Sequence, residues 1–443
     1  MVQQTINHLE SDIRGYVRTF PTVFKSASGS WLVDQDGRRF LDFFAGAGTL
    51  NYGHNNPSVK KALLSYIESD GVMHGLDTAT VAKVELLKGI EEILLKPRNM
   101  DYKVQFTGPT GTNAVEAAVK LARKSKQRSH VVAFTNAYHG HSLGSLALTG
   151  NQYYHDISYG SHNNVSHLPF DGYLGKVDTS ELLEKMLSDV SSGLPIPAAI
   201  ILETVQGEGG INVASFDWLR RIERICRRHD ILLIADDIQV GNGRTGSFFS
   251  FEPAGIEPDI ICISKAFGGG LPMSLLLMRR ECDTWKPGEH TGTFRGNNLA
   301  FVAARVLLEY WRDNQLSLQI QEHAKFIEQK LKQLLSQFSS TCSDVRGRGM
   351  IWGIEFSNAE MASLVCRKAF EKGLLIETSG ARDHVVKLLP PLTISSEDLR
   401  YGLSIVKDSI ESVLEEEKKP SVCFLPKMDA LELGLPIGSF ASF

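Results

Sequence analysis

No run of 18 or more apolar residues occurs in the chain, so a membrane-crossing helix is not expected. The opening segment, MVQQTINHLESDIRGYVRTF, lacks the basic-then-apolar layout of a secretory leader. Together these absences give the expectation of a cytoplasmic protein. Positive charge is not in excess either: 47 Lys and Arg stand against 51 Asp and Glu, for a formal net charge of -4. A mildly acidic chain has no overall attraction for nucleic acid or an anionic membrane, and neither is expected as a partner. Cysteine is sparse, with six residues at 226, 262, 282, 342, 366 and 423. None forms a Cys-x-x-Cys pair and none has a histidine at zinc-finger spacing, so the expectation is scattered reduced thiols and no metal site. The phosphate-loop pattern Gly-x-x-x-x-Gly-Lys-Ser/Thr is missing, and no Gly-x-Gly-x-x-Gly follows a first strand. A nucleotide site of either kind is therefore excluded.

What remains is an ordinary globular composition over 443 residues, 42% hydrophobic and 22% charged. At roughly 150 residues per domain the length allows two or three domains. Short apolar runs at Val104–Thr107, Val131–Phe134, Pro197–Leu202, Ile231–Ala235 and Ile260–Ile263 alternate with helical patterns at Asn113–Lys126 and Phe216–His229. Runs that are apolar throughout belong to strands covered on both faces, so the spacing predicts an α/β domain with a central, mostly parallel sheet. After Asn297 come two long helices, Leu299–Asp313 and Leu316–Phe338, then short strands at Gly353–Phe356 and Val385–Leu388 among helices at Met361–Lys372 and Ser396–Glu416. That pattern predicts a smaller α+β domain. A hairpin over Gly29–Phe43, turning at Asp36-Gly37, has no local partner and is expected to pack with this C-terminal unit. The expected division is a large domain over 51–298, a small domain made by both chain ends, 1–50 and 299–419, and an appended tail over 420–443.

Three short constellations carry chemistry. Asp236 ends the apolar run ILLIAD, where open α/β sheets bind ligands. A buried carboxylate there either meets a cation or donor, such as a protonated pyridine nitrogen, or caps the next turn. Lys265 follows the run PDIICIS and precedes Ala-Phe-Gly-Gly-Gly. It is either a strand-end surface residue or a partly buried amine able to form a Schiff base with an aldehyde. Thr110-Gly111-Thr112-Asn113 opens a helix, either as a plain N-cap or as a cradle for phosphate. An anion cradle, an amine and a carboxylate for a ring nitrogen are together the requirements of pyridoxal 5'-phosphate.

With these three in hand, the chain resembles the class III aminotransferases of the fold-type I pyridoxal phosphate enzymes, from about Leu32 to Leu403. The stretches that carry the resemblance are DFFAGAGTLNYGH, GTNAVEAAVKLAR, AYHGHSLG, ETVQGEGG, ADDIQVGNGRTG, SKAFGGGLPM, TGTFRGNN and VVKLLPPLT. Within the class, AGAGTLNYGHNNP, HGLD and GTFRGNNLAF are similar to the diaminobutyrate–2-oxoglutarate subgroup of ectoine and related pathways. The resemblance implies that Lys265 carries the cofactor and that Asp236 pairs with its ring nitrogen. It further implies that Gln239 meets the phenolic oxygen, Gly111 and Thr112 bind phosphate, and Tyr138 stacks on the ring beside His139. Glu203 and Glu208 lie near the ring, and Thr293 reaches the phosphate of a neighbouring subunit, which implies a homodimer.

The chain departs from the class pattern at three positions, two of which concern the substrate. Asp237 stands where Glu is frequent beside Asp236, Lys387 stands for an Arg before LPPL, and Arg295 stands where Gly is common. Lys387 offers a point charge and not a planar fork. Arg295 either binds a substrate carboxylate bidentately or forms an ion pair across the subunit boundary. The expected reaction is transfer of an amino group from glutamate to an aldehyde acceptor, L-aspartate 4-semialdehyde. A relative acting on ornithine, acetylornithine or 4-aminobutyrate, an aminomutase or racemase, and a non-catalytic assembly protein are the alternatives. The arginines at 220, 221, 224, 227 and 228 read as the solvated face of a helix. His139 and His141, two residues apart with no third ligand, do not read as a metal site.

Overall fold

The computed structural model describes residues 2–159 and 164–418. The expected tail at 420–443, with Cys423, lies outside the described residues. The other five cysteines are buried free thiols. Among the described residues no helix is long and apolar enough to cross a membrane, and no group of His, Cys, Asp and Glu is arranged to hold a metal ion.

The centre of the molecule is a seven-stranded sheet. Its order is Tyr102–Gly108, Ser274–Arg279, Ile260–Ile263, Leu232–Asp236, Ala199–Leu202, Val131–Phe134 and Val165–Leu168. The last five strands in this order run parallel to one another. Ser274–Arg279 is antiparallel to both of its neighbours, the one exception to the parallel pattern. An apolar run looks alike in either direction, so the sequence did not reveal this reversal. The inner strands are buried along their whole length. Helix Gly111–Lys126 supplies one cover with Ala114, Val115, Ala118, Leu121 and Ala122, all fully enclosed. Helix Phe216–Arg228 covers the sheet with Trp218, Ile222 and Ile225 on one stripe. Its arginine face is largely ion-paired within the chain, Arg227 to Asp259 at 2.7 Å and Arg228 to Glu184 at 2.7 Å.

A second, antiparallel sheet has the order Cys342–Arg348, Ile351–Phe356, Val385–Leu388 and Glu377–Ser379. Helices Ala359–Glu371 and Ser396–Lys418 pack together beside it. The N-terminal hairpin pairs Trp31–Val33 with Arg39–Leu41. Leu374–Leu375 then adds to its outer strand in parallel, joining the two ends of the chain in one sheet.

Candidate active site

Parallel strands end on the same edge of a sheet, and that edge is where this fold gathers its reactive groups. Asp236 is the last residue of its strand, Lys265 lies two residues beyond the neighbouring strand, and Glu203 follows Leu202 directly. Helix Gly111–Lys126 begins at the same edge. A cavity of about 510 Å³ opens there, lined by Gly111, Thr112, Tyr138, His139, Glu203, Glu208, Asp236, Gln239 and Lys265 among others. Nine of the expected residues thus share one space.

Lys265 adopts a left-handed backbone, φ 48°. A non-glycine residue there costs on the order of 1 kcal/mol, a strain typical of positions fixed by function. Its Nζ donates to the Ala47 carbonyl at 2.9 Å. That carbonyl comes from a run, Ala45–Ala47, whose three residues all have φ near +50°. Burial pushes the Lys265 pKa down, while Glu208 opposes the shift and Lys387 adds to it. An amine with a lowered pKa is the form that attacks a carbonyl carbon.

Asp236 is held from two sides. Its Oδ2 is 2.7 Å from His139 Nδ1, and its Oδ1 accepts the Ile238 backbone N–H at 3.2 Å. Burial works against charge on His139, but the hydrogen bond and charge of Asp236 outweigh it and raise the histidine's pKa. Asp237 points elsewhere and accepts from Ser250 N at 3.1 Å, with burial pushing its carboxyl up to about 7. Asp236 lines the cavity, and Asp237, one residue past the strand end, does not. Glu203 accepts from the N–H groups of Tyr138 at 3.0 Å and Gly207 at 3.3 Å. Burial pushes its carboxyl up to about 7, with His139 opposing.

At the helix start, Asn113 Oδ1 accepts from Thr110 N and Oγ1. Thr112 Oγ1 contacts Ser142 Oγ at 2.6 Å and Ser145 Oγ at 2.5 Å. Free N–H groups and hydroxyls at a helix N-terminus suit an anion. On the opposite wall, Gln239 Nε2 donates to Ala47 O at 3.0 Å and Glu208 Oε1 at 2.9 Å. A Cβ at Gly207 would stand 1.8 Å from Gln239 Oε1, so any larger residue there would have to displace the Gln239 amide. His139 Nε2 and Gln239 Oε1 are buried without a partner among the described residues. Two such orphaned atoms, an amine of lowered pKa, a braced carboxylate and a helix N-terminus in one cavity fit pyridoxal phosphate.

Three expected residues lie elsewhere. Thr293 is exposed and does not line the cavity. Arg295 donates to the carbonyls of Phe106 at 2.8 Å and His290 at 2.6 Å and lines a different cleft with Lys83 and Asp283. Lys387, expected to meet a substrate carboxylate, is fully enclosed behind Glu208 and does not line the cavity. Its Nζ is 2.7 Å from Glu208 Oε1 and 2.9 Å from Glu377 Oε1. Burial raises the Glu208 carboxyl, but Lys387 and Lys265 together bring it down to about 2. Sequence reading missed Tyr16, Ala47, His141, Tyr154 and Ile238 in the cavity wall and Glu377 behind it. Tyr138, His141 and Tyr154 meet edge-on, with centroids 4.7–6.0 Å apart. No local pattern marks Tyr16 or Ala47, whereas His141 stood within the AYHGHS stretch.

The chain is similar to known proteins over most of its length. The aminotransferase class-III family profile matches residues 14–410. The chain is 56% identical over 411 residues to a diaminobutyrate–2-oxoglutarate transaminase of Wolinella succinogenes, covering 93% of this chain and 96% of the relative. It is 55% identical over 416 residues to a protein of the same name from Bordetella parapertussis, covering 93% and 96%. Among solved structures, an ornithine aminotransferase of Toxoplasma gondii, described with partial occupancy of PLP at its active site, superposes with a TM-score of 0.82. The identity is 26%, over 94% of this chain and 95% of that one.

Proposed function

The chain belongs to the class-III aminotransferases, and from that premise we propose that it converts L-aspartate 4-semialdehyde and L-glutamate to L-2,4-diaminobutyrate and 2-oxoglutarate. The protein is a transaminase and its cofactor is pyridoxal phosphate. The observation that carries the substrate is 55–56% identity over 93% of the chain to two transaminases of that name. When bound, the cofactor supplies the carbon that takes the amino group and a ring that holds the electron pair released from the substrate.

In this reading the chain's own residues divide the work. Lys265 Nζ holds the cofactor covalently, then acts as the base that moves the proton leaving the substrate carbon. Asp236, braced by His139 and the Ile238 N–H, would meet the ring nitrogen and hold a proton there. Gln239 would meet the phenolic oxygen, Gly111 and Thr112 would take the phosphate, and Tyr138 with Glu203 would border the ring. Glu208, held by Lys387 and Gln239, covers the lysine until a substrate carboxylate replaces it. Arg295 sits away from this cavity, so a contribution to substrate binding would come through a partner subunit.

The reading includes a cytoplasmic homodimer with Thr293 reaching the partner's phosphate site. Support comes from one surface: Val72, Met73, Leu76 and Phe294 are all exposed. Segment 74–75 is tied to 296–297 by the Gly75 N–Gly296 O hydrogen bond and a His74–Asn297 bridge. Such an apolar patch on one face is characteristic of an association surface.

A donor and acceptor screen with product identification tests the function. Glutamate and L-2,4-diaminobutyrate should each discharge the loaded enzyme in a single half-reaction, and 4-aminobutyrate should do so poorly. Faster reaction with ornithine or 4-aminobutyrate overturns the substrate and leaves the transaminase standing.

A further inference from the structure

Behind Glu208 the cavity wall holds a buried charge cluster. Strand Glu377–Ser379 runs antiparallel to Val385–Leu388 with Glu377 directly opposite Lys387. The residue opposite Lys387 on its other side is Gly353, which offers no side chain. The ammonium therefore meets Glu377 across the strand pair and Glu208 from the loop after Val205–Gln206. With all three ionised, the cluster has one negative charge in excess. Of the three, Glu208 alone lines the cavity.

Two kinds of substrate place opposite demands on this cluster. A second substrate ammonium is met by Glu208 where it stands. A second substrate carboxylate must take Glu208's place at Lys387, and then three carboxylates crowd one ammonium. A proton on Glu377 cuts that excess from two negative charges to one.

We propose that Glu377 is the positioning residue that sets which substrate end the pocket accepts. Protonated, it releases Lys387 for a carboxylate; ionised, it keeps Lys387 neutralised and leaves Glu208 to bind an ammonium. The proposal rests on the reading of glutamate and diaminobutyrate as alternate substrates. The proton comes from solvent on binding and returns on release, and no bond to carbon changes. Burial favours the neutral form of Glu377, with Lys387 opposing and Glu208 assisting. The titratable groups facing it are Lys387, Glu208 and Lys265, Tyr16 from the N-terminal segment and Cys366 from helix Ala359–Glu371.

The test uses the cofactor-loaded enzyme and glutarate, a dicarboxylate with no amine to react. Calorimetric titration in two buffers of different ionisation heat reads proton uptake directly. The native enzyme should take up a proton on binding at alkaline pH. Glu377→Gln should take up none and bind glutarate about tenfold more tightly, a modest share of the repulsion from one like charge a few ångströms away. Glu377→Asp, which keeps the charge, should restore the native behaviour. In turnover, KM for glutamate should rise with pH in the native enzyme and stay flat in Glu377→Gln, with kcat little changed. Equal proton uptake in the native and Gln proteins overturns the proposal. If the Gln variant does not fold, the native arm still decides: glutarate affinity that changes less than about twofold between about pH 6.5 and 9 overturns it. Because glutarate binding involves no turnover, its failure leaves the transaminase reading intact. A failed diaminobutyrate reaction would leave this result intact in turn.

Discussion

Replacing Lys387 with methionine removes the ammonium from between Glu208 and Glu377 while keeping most of its volume. The consequence for stability follows from Glu208, whose carboxyl is brought from 4.5 to about 2. That difference corresponds to about 3 kcal/mol at 1.36 kcal/mol per pKa unit. Breaking a buried pair by removing one partner costs about 3–5 kcal/mol, because the remaining charge stays buried and unpaired. Lys387 is the largest of the groups that lower the Glu208 pKa, with Lys265 and Gln239 assisting, so Lys387→Met should lose on the order of 3 kcal/mol at pH 8. The pH dependence has a definite sign. In the native protein the lowered pKa of Glu208 adds stability that is complete above 4.5 and is lost as the pH falls toward 2. In the variant both carboxyls have raised pKa values, so the penalty is absent at low pH and grows as the pH rises above the unfolded value. Urea unfolding of the loaded protein, followed by far-ultraviolet circular dichroism at about pH 5.5 and 8, measures both terms. The gap between native and variant should narrow on acidification, and adding Glu208→Gln to Lys387→Met should recover much of the loss at pH 8. A variant as stable as the native protein at pH 8, or a gap that widens in acid, would refute a lysine clamped between two charged carboxylates.

The remaining predictions concern the cofactor and the assembly. Borohydride reduction followed by peptide mapping should place the label on Lys265, and Lys265→Ala should bind the cofactor without transaminating; label on another lysine sinks the assignment. Asp236→Asn should lower kcat by orders of magnitude while Asp237→Asn chiefly lowers stability, since only Asp236 lines the cavity; similar losses of kcat in both would show the wrong strand face. Thr293→Ala should weaken cofactor retention without unfolding the chain, by about 1.5–3 kcal/mol for one hydrogen bond to a charged group. Sedimentation that finds a fully active monomer contradicts a shared site.

Lys265 and Asp236 are legible in the amino-acid sequence because Asp236 closes one apolar run and Lys265 follows the end of another by two residues. A strand covered on both faces must be apolar throughout, so its first polar residue marks the edge where ligands bind. Gly111 and Thr112 are legible for the same kind of reason, as small residues opening a long helix with an alanine-rich face. The sequence itself thus determined the main parallel strands, the sheet edge and the titratable groups that gather there. Tertiary structure decided what surrounds them. The Ala47 carbonyl reaches Lys265 across 218 residues of chain. Glu377 meets Lys387 because two short strands pair in one register. Lys387 and Arg295 were both expected at the substrate, yet one is enclosed by carboxylates and the other donates to two backbone carbonyls. A residue's own neighbours in sequence fix its local conformation and which way it faces. Which distant charge it meets, and whether water can reach it, depends on how separate elements pack, and that leaves no periodic trace in the chain.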